Sequence, residues 1–154
     1  MAELTDSDGV LPKQGIRLGL TAADKWDAVE QCGALLLELG AVEPEYPPTM
    51  VERERSVSTY LGEGVAIPHG TDAARALVRR TTLGVLQFPR GVDWNGGRVH
   101  LCVAIAAKGD EHITVLSALA RILSEPSQAE RLRTATTVEA VHQLLASVEK
   151  GSNA

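Results

Sequence analysis

His69 stands between Pro68 and Gly70 at the end of a short apolar run, Val65-Ala66-Ile67. An imidazole titrates near neutrality and is a competent nucleophile when neutral. Pro68 has a fixed φ and no amide donor, so it ends the run and aims the residue that follows. Gly70 has no Cβ, so a partner or a phosphate can approach the backbone there. The pattern predicts a solvent-directed ring at a strand end; the same residues also suit an ordinary turn. A second histidine, His112, falls at about the second position of a predicted helix. Free amides and the positive end of the dipole at a helix start favour a bound anion and a neutral imidazole. The competing reading of His112 is a core or interface histidine on the stripe of Val115, Leu116 and Leu119. Arg53 offers a planar donor fork suited to phosphoryl oxygens, although a surface arginine is by default a solvated charge. Arg55 is its nearest rival. Thr59 can donate through its hydroxyl or merely stabilise a turn.

Other chemistries fit less well. His100 and Cys102 form an i, i+2 pair without the spacing of a closed zinc site. Gly62-Glu63-Gly64 lacks the following helix and the Lys-Ser/Thr pair of a nucleotide loop. Asp110 and Glu111 are adjacent on a helix, where side chains diverge, and both have capping and dipole roles. No cofactor and no metal are expected.

The elements that must position these residues are of mixed type. Residues 1–15 read as a flexible tail and residues 149–154 as a fraying end, with one domain between them over 16–148. Residues 16–20 alternate as a short strand. A helix over 22–39 follows, with Thr21 as its cap, Trp26, Val29, Gly33 and Leu36 as its inner face, thickened by Cys32, Leu37 and Leu39, and Gly40 as its stop. Pro44 suits a first helical turn, and a short helix over about 45–54 follows, which Pro47 and Pro48 force to begin late or to be distorted. Residues 82–88 form a strand closed by Pro89 and Gly91, and 99–106 the clearest strand of the chain. Asn95-Gly96 between them predicts an antiparallel pair with a longer loop. Three helices finish the sequence, over 111–123 with Asp110 as cap, from Pro126 to about 133, and from a Thr136/Glu139 capping box onward. The pattern predicts a single α/β sandwich with a mixed, mostly parallel sheet and helices on both faces.

Composition narrows the function. A chain of 154 residues suits one domain. Aromatic residues make up 3%, so the core must be built from Leu, Val, Ile and Ala, and base stacking is unpromising. A net charge of −5 also argues against a nucleic-acid backbone as partner. Two cysteines without ligand spacing read as buried thiols of a reducing compartment. Apolar windows are too short to cross a membrane, and Glu3, Asp6 and Asp8 stand where a signal peptide would be basic. A cytoplasmic protein with no membrane insertion is expected.

The run Gly64-Val65-Ala66-Ile67-Pro68-His69-Gly70 resembles the active-site signature of the IIA domains of the sugar phosphotransferase system, mannitol/fructose class. Met50-Val51-Glu52-Arg53-Glu54, Thr59-Tyr60-Leu61-Gly62, Gln87-Phe88-Pro89-Arg90-Gly91-Val92 and Ala106-Ala107-Lys108-Gly109-Asp110-Glu111-His112 follow in that family's order and spacing, so the likeness covers about residues 16–147. The mannitol branch is the most similar. The resemblance implies that His69 is the phosphorylated residue, reacting through Nε2 with Nδ1 held by a backbone carbonyl. It implies catalytic support from His112 and Arg53, with Thr59 as a possible further phosphate donor. It implies a phosphotransferase component that takes a phosphoryl group from the histidine of HPr and gives it to a cysteine on the IIB domain of a sugar permease. No IIB, HPr-like or membrane segment is visible, so these partners are expected on other polypeptides or subunits. The alternatives are a fructose IIA or a nitrogen-regulatory IIA that acts partly as a signalling module.

Overall fold

The computed structural model describes residues 9–146. Its sheet is organised on β5 (Gly97–Ala106), which is buried on both faces for most of its length. Leu101, Val103 and Ile105 enter one core layer, whereas Cys102, Ala104 and Ala106 enter the other, as period-two alternation requires. The small side chains at 102, 104 and 106 face α1 (Lys25–Glu38) and α2 (Tyr46–Ser56). The larger ones face α3 (Glu111–Leu123), α4 (Pro126–Arg133) and α5 (Val138–Leu144). Helices therefore cover both faces. Val99 departs from the parity expected of it: it joins Val92 and Trp94 in the layer under α1 and α2.

β4 (Thr82–Trp94) does not stop at Pro89. It runs on through a register shift between Gln87 and Val92 and pairs antiparallel with β5 along its length. Such an irregularity lets a proline sit in a strand without owing the ladder a hydrogen bond. The connection is also shorter than predicted. Trp94 pairs directly with Gly97, and Asn95 and Gly96 make the turn with φ of 51° and 90°, the two positive values that a tight hairpin turn needs.

The remaining strands are short. β1 (Ile16–Arg17) lies parallel to β4, β3 (Val65–Ala66) parallel to β5, and β2 (Tyr60–Gly62) antiparallel to β3. The order is β1-β4-β5-β3-β2. The sheet is mixed, as expected, but parallel pairing does not dominate it, because hairpins at Glu63-Gly64 and Asn95-Gly96 supply antiparallel neighbours. β2 and its hairpin went unrecognised in the sequence, three residues being too few for a periodicity.

Several ends differ from the sequence reading. The stretch assigned to a flexible tail is packed from Val10 onward: Val10 and Leu11 are buried, and the Leu83 amide donates to Val10 O (2.8 Å). Residues 1–8 of that tail and residues 149–154 lie outside the described residues. α1 starts at Lys25, capped by Asp24, whose carboxylate accepts the Asp27 amide (2.8 Å). The Thr21 carbonyl instead accepts from Gln31 Nε2 (3.0 Å). Trp26 is half-buried and Leu37 is exposed; the inner face is Ala28, Val29, Cys32, Gly33, Leu35 and Leu36. α5 is capped by Thr137, one residue later than predicted.

Candidate functional site

The parallel pairing of β3 with β5 decides where the two histidines go. Val65 stands opposite Leu101 and Ala66 opposite Cys102, and the pairing reaches beyond the strand to set His69 opposite Ile105. Both chains therefore leave the sheet at the same edge, the carboxyl ends of parallel strands where open α/β sheets place their sites. The chain leaving β3 presents His69. The chain leaving β5 turns at Gly109 and enters α3 with His112 at its second position. The two rings meet with centroids 5.6 Å apart, tilted by 59°.

His69 is only 7% exposed; it lines a cleft and is not the solvent-directed ring expected from Pro68 and Gly70. Its Nδ1–H donates to Ile67 O (2.8 Å), so the neutral ring carries its proton on Nδ1 and leaves Nε2 with a lone pair. Burial is the main cause that lowers its pKa; the Ile67 bond opposes that, while the Arg53 and His112 charges add to it and Glu54 opposes it. Nothing has room to approach the backbone at Gly70. A Cβ there would lie 2.7 Å from Thr49 Oγ1 and 2.8 Å from the Tyr46 ring, and the Gly70 amide already donates to the Tyr46 hydroxyl (2.9 Å). Glycine is needed here for packing from inside.

His112 is half-buried. Burial again lowers its pKa, with Arg75 and Arg53 adding to the effect and Asp72 opposing it. Val115 and Leu119, one and two turns on, are buried and anchor α3 to the sheet. Asp110 occupies the cap position but its side chain makes no capping bond. The first turn is tied instead by Thr81, whose hydroxyl donates to Glu111 Oε1 (2.6 Å) and accepts the Lys108 amide (3.0 Å).

α2 ends the ambiguity between its two arginines. Two residues along a helix are about 200° apart in direction, so Arg53 and Arg55 cannot share a site. Arg53 lines the cleft with His69 and His112 and gives Nη1 to Val57 O (2.5 Å). Arg55 turns away, its guanidinium 5.8 Å from the centre of the Trp26 ring. Thr59 also lines the cleft, but its hydroxyl donates to Glu54 Oε1 (2.6 Å). Of the two roles read for Thr59, the geometry fits the turn and leaves no hydroxyl proton for a phosphate.

Sequence reasoning missed Glu54 and Tyr46. Glu54 is 2% exposed, and its carboxylate accepts the Thr59 amide, the Thr59 hydroxyl and Trp94 Nε1 (3.0 Å), with Lys25 Nζ at 3.5 Å. Its only signal was its place beside Arg53; Thr59 lies five residues on, but Trp94 and Lys25 are far off in the sequence. Tyr46 is 3% exposed and reaches Gly70 and Ile105 from the first turn of α2. No pattern in the sequence links these positions.

The cleft has a volume of about 420 Å³ and is lined by Arg53, Asp72, His69 and His112 with Leu61, Ile67 and Leu116 among its apolar members. Leu61 of this lining is exposed, and exposed Val57 and Ile113 are chain neighbours of the lining residues Ser58 and His112. Its chemistry is that of an unprotonated imidazole nitrogen flanked by cationic and neutral nitrogen donors, suited to an incoming phosphoryl group. Among the described residues no group of three or more His, Cys, Asp and Glu could hold a metal ion. Cys102 is buried next to Cys32, which together with burial pushes its pKa well up, while His100 lines a separate cleft with Gln87 and Arg133. No helix among the described residues is long and apolar enough to cross a membrane.

Known proteins resemble this chain in sequence and fold. The chain is 44% identical over 136 residues to a multiphosphoryl transfer protein of Escherichia coli O157:H7; the match covers 88% of this chain and spans 36% of that relative's length. It is 40% identical over 144 residues to the mannitol-specific phosphotransferase enzyme IIA component of Halalkalibacterium halodurans, covering 94% of this chain and 99% of the other. A solved complex of enzyme IIAMTL and phosphorylated enzyme IIBMTL from Escherichia coli matches with a TM-score of 0.81 at 39% identity, covering 87% of this chain and 95% of its counterpart. The family model described as "Phosphoenolpyruvate-dependent sugar phosphotransferase system, EIIA 2" takes in residues 9–148, the whole sheet and every side chain of the cleft. The chain thus belongs to the EIIA 2 family of the sugar phosphotransferase system, as a phosphotransferase component.

Proposed function

We propose that His69 carries a phosphoryl group from HPr to a cysteine on the IIB domain of a mannitol-type sugar permease. The observation that carries this reading is the Nδ1–H bond to Ile67 O at 2.8 Å, made in a cleft that also holds Arg53 and His112. In the first step the Nε2 lone pair attacks phosphorus. The nitrogen–phosphorus bond of the donor histidine breaks, and its electron pair returns to the donor ring. Positive charge that develops on the His69 imidazole is stabilised by Ile67 O through Nδ1–H. In the second step a IIB thiolate attacks phosphorus, and the Nε2–phosphorus pair returns to His69.

Phosphoryl transfer passes through a loose transition state, so the protein contributes mainly position and charge. Arg53 supplies a fixed cation for the equatorial oxygens. His112, kept neutral by its lowered pKa, donates a hydrogen bond without trapping the phosphoryl group as a second cation would. The partner assignment is supported by the Escherichia coli neighbour, whose structure pairs a mannitol IIA with a phosphorylated IIB. The mannitol branch is supported by the Halalkalibacterium relative. The acting unit is one phosphocarrier domain that works in the cytoplasm, and the burial of Val10 and Leu11 supports a start earlier than residue 16.

Radiolabelled phospho-HPr incubated with this chain and a mannitol IIB domain tests the proposal. The expected result is one label per chain, stable to base and labile to acid, and absent from His69→Ala with an unchanged circular dichroism spectrum. The label should then move to the IIB cysteine. Equal labelling of the variant would remove His69 from the role, and a label that no IIB cysteine accepts would remove the acceptor.

A further inference from the structure

In a regular parallel ladder, the residue opposite His69 gives its amide to residue 68 and accepts the amide of residue 70. Ile105 does the first directly, with its amide donating to Pro68 O (3.0 Å). The second contact passes through a side chain. The Gly70 amide donates to the Tyr46 hydroxyl (2.9 Å), and that hydroxyl donates to Ile105 O (3.0 Å). The hydroxyl is thus spliced into the ladder one residue after His69. The ring behind it fills the space that a side chain at position 70 would need.

We propose that Tyr46 is a positioning residue for phosphoryl transfer at His69, its hydroxyl setting the place where the His69 segment parts from β5. The inference rests on the phosphocarrier reading above. Tyr46 begins the helix that carries Arg53, and Ile105 lies at the end of the strand that leads to His112. One hydroxyl therefore joins the three pieces of chain that bring Arg53, His69 and His112 together. At 3% exposure Tyr46 has no surface to offer a protein partner, so it acts only through the residues it holds. Burial raises its pKa, so the hydroxyl keeps its proton and can donate and accept at once throughout the neutral range.

Tyr46→Phe keeps the ring and removes the hydroxyl. In the full chain we expect kcat for transfer from phospho-HPr to fall about 10- to 100-fold, the scale on which a displacement of roughly 1 Å acts. KM for HPr should change less than about twofold, the pattern of an interaction felt mainly in the transition state. The 15N shifts of His69 in the unphosphorylated variant should move as the ring reorients. Wild-type kcat with unchanged His69 shifts, whatever happens to the melting temperature, would overturn the proposal. The wild-type protein gives a check that needs no variant: the Gly70 amide should be protected from solvent exchange, and exchange at the rate of an open loop would also overturn it. If the wild-type chain takes no phosphate from HPr, the phosphocarrier reading fails instead, while the exchange measurement still reports whether the hydroxyl bridges the ladder.

Discussion

Glu54→Ala probes the wall of the cleft at its most loaded point. One carboxylate accepts the amide and hydroxyl of Thr59 and the indole N–H of Trp94, and Lys25 Nζ stands 3.5 Å away. Removing it strands three donors, two of them at a residue 5% exposed and one on a fully buried Trp94. Each buried donor left unpaired costs about 1–3 kcal/mol. Lys25 limits the total, because its ammonium is partly exposed and keeps Asn95 Oδ1 at 2.7 Å. Water following the lysine into the space offsets part of the rest. The expected loss is about 3–5 kcal/mol, the range seen when one partner of a buried charge pair is removed. With a urea slope of roughly 2 kcal/mol per molar, the unfolding midpoint should drop by about 2 M at unchanged slope. Tryptophan fluorescence is a direct readout, since Trp94 loses its partner. Glu54→Gln, which retains one acceptor oxygen, should fall between. Because the Glu54 charge opposes the depression of the His69 pKa, that pKa should fall further in Glu54→Ala. A midpoint for Glu54→Ala within about 0.3 M of wild type, worth less than roughly 1 kcal/mol at that slope, would refute the account of Glu54 as the group that holds the Thr59 turn.

Two further outcomes follow from the histidine pair. His112→Ala should still be labelled at His69 but pass the phosphoryl group on more slowly, by roughly 30- to 1000-fold if an aligned donor worth about 2–4 kcal/mol is lost; quench-flow rates equal to wild type in both directions would reduce His112 to a packing residue. His69 and His112 both have pKa values held below the ordinary histidine value of about 6.5, so Nε2 of His69 should stay available as pH falls through that value, and transfer should decline only at lower pH. The unfolded chain then binds more protons than the folded one, so these two groups' contribution to stability is complete above about pH 6.5 and is lost as pH falls through the folded values. Denaturant midpoints from pH 8 to pH 5 should show this slope in the wild type and a shallower one in His69→Ala; equal slopes would contradict the burial of His69.

The α/β class, the two-sided cover of β5 and the existence of most helices were legible because each rests on a local period or a local stop. Alternation over 99–106, the apolar stripes of α1 and α3, and Pro126 at the start of α4 all act within a few residues of themselves. His69 was legible for a similar reason, since Pro68 and Gly70 flank it directly, and Arg53, Thr59 and His112 came with the family resemblance. Caps were less secure where two candidates lay close together, and Asp24 and Thr137 prevailed over Thr21 and Thr136. Tertiary structure decided the rest, for reasons of distance. Parallel pairing of β3 and β5 brings His69 and His112 to one edge, and no local preference encodes that register. The direction of α2 sends Arg53 into the cleft and Arg55 to Trp26. The exposure of His69 was misjudged because a flanking glycine signals room, while the Tyr46 ring that fills this room comes from a distant helix. Glu54 reads as one more surface acid until Trp94, Thr59 and Lys25 fold around it; a buried charge is identified by its partners, and those are gathered only by the folded chain.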